Sequence, residues 1–363
     1  MEKDIVKNEH IKYFDGLRGY SVVLVMFCHT PYFEYGWIGV PVFFALSGYL
    51  ITNILINSRT SENYFKAFYS RRILRIFPIY FLCLILIRLF DHYYKSWGID
   101  DLWYYVFYIQ NFKLAIDQWQ SNFPIFFNHT WSLAVEEQFY LVFPFLVWVM
   151  DSKKLKITCI CLMFIGLLSR YIIVSELPQN QTIYYVNTIC NLDYLGGGAL
   201  IAIFLNRNEM NGLKVLLKVL TAVCLLLYFV ISPLVFHKPL FTLSLTLAES
   251  HELNLMFMLP VILSIVLILK TFRNKFLDVV FGNKVFIFLG KISYGLYLYH
   301  LPVFYWADHY VHWHNPLVFT GVRFALTILI SYISFMVIET PFLNLKRYFN
   351  YQANDNPLNK QVS

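Results

Sequence analysis

FDGLRGYSVVLVMFCHT, residues 14–30, opens on Asp15 and Arg18, runs through an apolar stretch and closes on His29. Arg18 and His29 are eleven positions apart. At about 100° per residue that is three turns plus about 20°, so on a helix both side chains share one face. Along the axis they stand about 16 Å apart, roughly half the thickness of a hydrocarbon core. An ionisable group inside a bilayer costs on the order of several kcal/mol unless it serves a site. Snorkelling to the headgroups accounts for either end alone. It does not account for an arginine and a histidine on one stripe at two depths, and this stripe is read as part of a site.

Working outward, the whole chain carries the same membrane signature. Hydrophobic residues make up 58% of 363 and charged residues 14%. Mean hydropathy is +0.54. Such a balance points to an all-α polytopic membrane protein rather than soluble domains. Aromatic residues, at 19%, suit lipid-facing surfaces and interfacial belts. Apolar stretches long enough to span, or nearly so, fall at 19–30, 40–56, 73–90, 131–150, 155–174, 192–205, 213–231, 253–269, 286–306 and 317–338. With a cytoplasmic N-terminus, twenty-two of the 29 Lys and Arg residues fall on the inner side. Four (Lys95, Lys113, Arg170 and Lys238) fall outside, and Arg18, Arg88 and Arg323 lie within spans. That asymmetry predicts about ten transmembrane helices with both termini cytoplasmic. The expected organisation is a cytoplasmic N-terminus over 1–12, a transmembrane domain over 13–345 and a disordered cytoplasmic tail over 346–363. No cleavable signal peptide is read at the start.

The net charge of +7 is thereby orientation signal, and no nucleic-acid role is read from it. Cys28, Cys83, Cys159, Cys161, Cys190 and Cys224 all lie in or beside apolar segments and form neither a disulfide framework nor a metal site. The long outer loop over 91–130, rich in aromatics, is expected to pack against the bundle. No soluble catalytic domain fits between the spans, so any chemistry belongs to the helices.

The topology assigns depths. His29 lies at the outer end of the first span. HTWSLAVEEQFYLVFP enters the fourth from outside and carries Glu136 and Glu137, and SYGLYLYHLPV brings His300 outward. A carboxylate beside an imidazole fixes its tautomer and stabilises the imidazolium, the usual arrangement of a general base. Adjacent glutamates cannot both face one cavity, so one of them is the candidate and the other is expected in a structural ion pair. At the inner side, Arg18 stands near RRILR, in which Arg72 and Arg75 share a face. Guanidinium forks suit phosphates, although such a run at an inner boundary is also plain topology signal. Ser47 and Gly48 allow close helix approach, and Ser47 has no base beside it in sequence. Glu339 is placed to neutralise an arginine.

These stretches together resemble the acyltransferase-3 family of integral membrane O-acyltransferases (the OafA/YrhL-like group). The resemblance rests on the Arg18–His29 spacing, FFALSGYLIT, RRILRIFPIY, WSLAVEEQFYLVFP and ISYGLYLYHLPV, in order over residues 12–342. It implies transfer of an acyl group, commonly acetyl from acetyl-CoA, to a hydroxyl of an extracytoplasmic or lipid-linked carbohydrate at the bacterial inner membrane. O-antigen, exopolysaccharide and peptidoglycan are examples of such acceptors. It further implies that His29 is catalytic, that Arg18 is essential beside it, and that Arg72 and Arg75 bind the donor. Relatives often carry an arginine just before the acid of the sixth span. This chain reads Cys190-Asn191-Leu192-Asp193, and Asp193 is left out of the site. The esterase-like domain of some relatives is not present here, so a one-protein transfer is expected.

The expected mechanism follows from those depths. Acyl-CoA is the donor substrate, with no tightly bound cofactor and no metal. Its phosphates meet the inner arginines, and its pantetheine arm threads toward His29. Glu136 orients His29, which deprotonates the acceptor hydroxyl, while His300 and Trp131 place the acceptor. Direct transfer and an acyl-histidine intermediate both fit, as do acetyl and longer acyl groups. The competing class is a glycan transporter or flippase, which would form no ester.

Overall fold

A computed structural model describes residues 2–94, 101–119, 123–177, 181–207, 209, 211, 279–311 and 315–352. The expected spans at 213–231 and 253–269 lie outside the described residues. All the regular elements described are helical. Helix α1 (Glu2–Cys28) begins well before the apolar core of the first span, so the segment expected as a separate N-terminus is continuous with it. It stops because Pro31 follows and because two side chains take its last carbonyls. His29 Nδ1 meets the Val25 oxygen at 2.9 Å and Thr30 Oγ1 donates to the Phe27 oxygen at 2.7 Å.

A 3₁₀ turn (Glu34–Ile38) leads into α2 (Gly39–Ser58). Helix α3 (Tyr64–Tyr94) contains Pro78, which withholds an amide donor from the preceding turn. Two short helices, α4 (Leu102–Val106) and α5 (Gln110–Asp117), follow in the aromatic loop. They pack on the bundle as expected. Tyr80 Oη donates to the Tyr105 carbonyl at 2.9 Å, and Gln110 Nε2 donates to the Thr130 carbonyl at 2.9 Å.

A 3₁₀ turn (Ile125–Thr130) sets up α6 (Trp131–Val149). Asp151 then caps α7 (Ser152–Glu176) by accepting from the Lys154 amide at 2.8 Å. Helices α8 (Gln181–Val186) and α9 (Leu192–Asn206) follow. Helix α9 lies along α2, backbone to backbone. A Cβ built on Gly48 would stand 2.1 Å from the Leu195 oxygen, and one on Gly198 1.9 Å from the Ala45 oxygen. This is the small-residue packing that membrane helices use in place of a hydrophobic drive.

The predicted span at 286–306 is two helices, α10 (Lys284–Lys291) and α11 (Ser293–Tyr310), broken at Ile292. Helix α10 is pressed against α1, where a Cβ on Gly290 would meet the Asp15 oxygen at 1.7 Å. Helix α12 (Pro316–Ser334) is capped by Asn315 and continues through a π turn (Phe335–Glu339). After α13 (Thr340–Asn344) the chain returns to α3. Arg71 donates to the Lys346 carbonyl at 3.2 Å, and Asn63 Nδ2 to the Asn350 carbonyl at 2.9 Å. The segment over 346–352, expected to begin a disordered tail, is therefore held in place.

Among the described residues, five stretches are long and apolar enough to cross a membrane: Gly36–Ser58, Ile125–Val149, Ser152–Ile173, Ile189–Asn206 and Pro316–Phe349. Helices α2 and α9 are mostly buried, whereas α7 and α12 expose apolar side chains such as Phe164, Leu168, Leu329 and Ile333. Such faces need lipid around them. The chain is a multi-pass membrane protein, all-helical among the described residues. One charge assignment is corrected: Arg170, counted above as an outer-side charge, is buried in α7. It makes a two-pronged ion pair with Asp193 of α9, at 3.0 and 3.1 Å.

Candidate active site

Five helices surround a cavity of about 210 Å³. Arg18 enters from α1, Ser47 from α2, Arg72 and Arg75 from α3, Ser132, Glu136 and Tyr140 from α6, and Tyr294 and Tyr297 from α11. The i,i+3 spacing of Arg72 and Arg75 puts both on the cavity side, as the helical period requires. Arg18 is paired with Asp15 at 3.0 Å. The Arg72 guanidinium lies over the Phe68 and Tyr140 rings, at 5.8 and 5.6 Å. Neither Arg72 nor Arg75 forms an ion pair among the described residues. Glu136 accepts from Ser47 Oγ at 2.6 Å, and Ser47 in turn accepts from Tyr140 Oη at 3.0 Å. Three guanidinium groups thus share the cavity with one lining carboxylate. That excess favours an anionic ligand carrying phosphates.

Beyond the Ser132–Tyr297 end of the cavity lies a group of three histidines. Ser132 Oγ and Tyr297 Oη are hydrogen-bonded at 2.6 Å, and Tyr297 Oη donates to the His129 carbonyl at 2.5 Å. The Tyr297 carbonyl accepts from His129 Nε2 at 2.9 Å and from His300 Nδ1 at 2.6 Å. His300 Nε2 faces His29 Nδ1 at 3.3 Å. His129 and His300 are buried, while His29 is exposed at the end of α1. Among the described residues no set of three His, Cys, Asp or Glu side chains is arranged to hold a metal ion.

Sequence comparison bears on what such a two-ended arrangement serves. The family model for the acyltransferase domain of the acyltransferase-3 type matches residues 11–336. The chain belongs to the acyltransferase-3 family. Its similar relatives include the peptidoglycan O-acetyltransferase OatA of Listeria monocytogenes, 26% identical over 94% of this chain and 57% of that protein. The O-acetyltransferase OatA of Staphylococcus aureus is 27% identical over 90% of this chain and 56% of its own length. A putative O-acetyltransferase of Staphylococcus aureus strain COL is 28% identical over 93% and 58%. The chain thus spans under three-fifths of the length of these relatives. No solved structure matches.

Within this chain the expected site residues fall into two groups. Arg18, Arg72, Arg75 and Glu136 come together around the cavity, and His29 and His300 come together beyond it. Glu136 does not orient His29: its hydrogen bond goes to Ser47, and the His29 ring is held by Val25 and His300. His300 is fully buried with both ring nitrogens engaged, which leaves it no free edge for an acceptor. Trp131 is buried against Tyr185 and Phe44, with ring centroids 4.8 and 6.0 Å away, and does not line the cavity. Glu137 makes no ion pair among the described residues, contrary to expectation, and its Oε1 is buried without a hydrogen-bond partner. Glu339 is likewise buried with its Oε1 lacking a hydrogen-bond partner, and the charge of Arg75 acts on it without a close ion pair among the described residues.

Three participants escaped the sequence reading. Ser47 gains its carboxylate from a residue 89 positions away. Tyr297 and His129 meet through a contact spanning 168 positions. The signal for His129 was present in the quoted HTWSLAVEEQFYLVFP, where it stands about two turns before the carboxylates.

Proposed function

We propose that this protein is a membrane O-acetyltransferase that moves an acyl group from cytoplasmic acetyl-CoA to a hydroxyl of an extracytoplasmic glycan. The observation that carries the reading is the cavity, which Arg18, Arg72 and Arg75 line together with Ser132 and Tyr297, the tyrosine being bonded in turn to the histidine group that includes His29. The relatives' names favour peptidoglycan as the acceptor, with other surface or lipid-linked glycans of the same hydroxyl chemistry as alternatives. The chain is read as ten helices in the bacterial cytoplasmic membrane, both termini inside, so that the arginines face the donor's compartment and His29 the acceptor's.

In this reading the donor phosphates pair with Arg72 and Arg75, and Arg18 steadies the chain leading to the thioester. The His29 ring donates from Nδ1 to a backbone carbonyl, which leaves Nε2 bare and outward. Nε2 takes the proton of the acceptor hydroxyl as its oxygen attacks the thioester carbon. The C–S bond breaks, the new C–O bond remains, and the thiolate recovers a proton to leave as the free thiol. The imidazolium formed meanwhile sits at the C-terminal end of α1, where the helix dipole favours positive charge.

The test is transfer itself. Membranes containing the protein are incubated with acetyl-labelled acetyl-CoA and muropeptide or glycan acceptors, and ester-linked label is sought as base-labile product. Label that depends on the protein is expected. Its absence with every glycan offered would overturn the reading, and glycan movement without ester formation would replace it with transport.

A further inference from the structure

We infer that His300 is a positioning residue for His29, fixed in one tautomer by the Tyr297 carbonyl and presenting a bare nitrogen to the His29 ring. This rests on the reading of His29 as the base and assigns the role that Glu136 does not fill.

The tautomers follow from the partners. A carbonyl oxygen only accepts, so any imidazole nitrogen bonded to one must carry hydrogen. His300 Nδ1 is 2.6 Å from the Tyr297 oxygen and therefore donates. In the neutral ring Nε2 is then a lone pair, and it lies 3.3 Å from His29 Nδ1. His29 Nδ1, 2.9 Å from the Val25 oxygen, is a donor by the same rule. Its hydrogen is shared between the Val25 carbonyl and His300 Nε2, a three-centre bond of the kind common at helix ends. The one remaining nitrogen of His29, Nε2, is the basic one. His300 thus reinforces the Val25 carbonyl in excluding the opposite tautomer, in which Nε2 would carry the hydrogen and could take no proton.

The arrangement also holds the ring in place. His29 lies one residue beyond α1 and is exposed, so among the described residues these two hydrogen bonds hold its ring. His300 is fully buried in α11, with its ring centroid 5.0 Å from that of His29 and 4.8 Å from that of His129. His129 donates to the same Tyr297 oxygen at 2.9 Å. That carbonyl is the anchor of the group. The same tyrosine lines the arginine cavity, and its hydroxyl bonds Ser132 and the His129 carbonyl. One residue therefore ties the donor chamber to the orientation of the base.

The experiment compares kcat and the KM for acetyl-CoA in His300→Phe, His300→Gln and His29→Ala, using the full chain in membranes at matched folded protein. Phe fills the space without a nitrogen, and Gln can offer an acceptor toward His29. His300→Phe is expected to lower kcat by at least about tenfold with KM unchanged, and His300→Gln to recover most of that loss. Three results would overturn the inference: wild-type kcat in His300→Phe, a rise in KM alone, or no rescue by Gln. If His29→Ala stays active, the base assignment itself falls. If His29→Ala is inactive while His300→Phe turns over normally, only the positioning role falls. Should His300→Phe fail to fold, ¹⁵N NMR of histidine-labelled wild-type protein decides, with the His29 signal identified by its loss in His29→Ala. A hydrogen bond detected between His29 Nδ1 and His300 Nε2 supports the inference, and a His29 Nδ1–H held by Val25 alone overturns it.

Discussion

At the scale of single residues, His29 has two duties that different substitutions separate. It caps α1 through Val25, and in the proposed reaction it takes a proton at Nε2. A glutamine can imitate the cap but is no base at neutral pH. His29→Gln is therefore expected to fold like wild type and to lower turnover by at least about 10²-fold, the usual range for losing a general base. Residual glycan acetylation within a few-fold of wild type, measured at equal protein, would contradict this. Arg72 and Arg75 should behave differently, because a phosphate contact acts mainly on binding. A charge-assisted hydrogen bond contributes about 1.5–3 kcal/mol, so Arg72→Ala and Arg75→Ala should each raise the KM for acetyl-CoA by roughly tenfold or more. Saturation curves that overlay wild type would return both residues to the positive-inside count. What the sequence disclosed at this scale was what helical period alone dictates: the shared face of Arg72 and Arg75, both of which line the cavity. The partner of His29 was hidden because His300 approaches from 271 positions away. The nearest acid by depth, Glu136, is claimed by Ser47, a contact that depth alone does not reveal.

Elements were legible where length and apolarity decide them. Helix α2 runs over Gly39–Ser58 where 40–56 was expected, and α6 over Trp131–Val149 where 131–150 was expected. The break at Ile292 was not read from the sequence, although Gly290, Lys291 and Ser293 interrupt the apolar run there and Gly290 lies against α1. Arg170 was misread for a related reason: a lone charge near the end of an apolar run looks like a loop until its partner on another helix is known. The latch it makes with Asp193 gives a sharp stability prediction. Both side chains are 1% exposed, so Arg170→Ala strands a carboxylate and should cost about 3–5 kcal/mol, seen as lost folded protein in detergent. Pairing Arg170→Met with Asp193→Leu should recover much of it, because an apolar pair of similar volume needs no partner charge. A double variant no better than Arg170→Ala would show that the charges themselves are required. Glycines offer a matched contrast. Gly198→Ala would drive a methyl into the Ala45 carbonyl and separate α9 from α2, an overpacking cost of about 1–3 kcal/mol. Gly321, on α12, has nothing within 4 Å of its added Cβ. There Gly→Ala should be neutral or should stabilise the helix by up to about 1 kcal/mol. Equal melting shifts for the two would refute the close-packed α2–α9 interface.

For the molecule as a whole, the question is which end of the cavity meets which compartment. The buried Arg170 leaves the positive-inside asymmetry stronger, since it removes one of the four charges assigned to the outside. In the proposed orientation the arginines of the cavity face the cytoplasmic side, and the end of α1 that carries His29 faces the other. Acetyl-CoA is too polar to cross a bilayer unaided, so it can serve as a probe of sidedness. Sealed inside-out vesicles present the cytoplasmic face and should acetylate glycan enclosed in their lumen from acetyl-CoA added outside. Sealed right-side-out vesicles should not use external acetyl-CoA until their membranes are permeabilised. They should transfer to an external acceptor when acetyl-CoA is loaded within. Equal use of external donor by both sealed preparations would mean that the arginine end does not define the donor face. The reversed pattern would invert the assigned orientation while leaving the cavity's chemistry intact, because the guanidinium groups and the histidines would keep their separation whichever way the bundle sits.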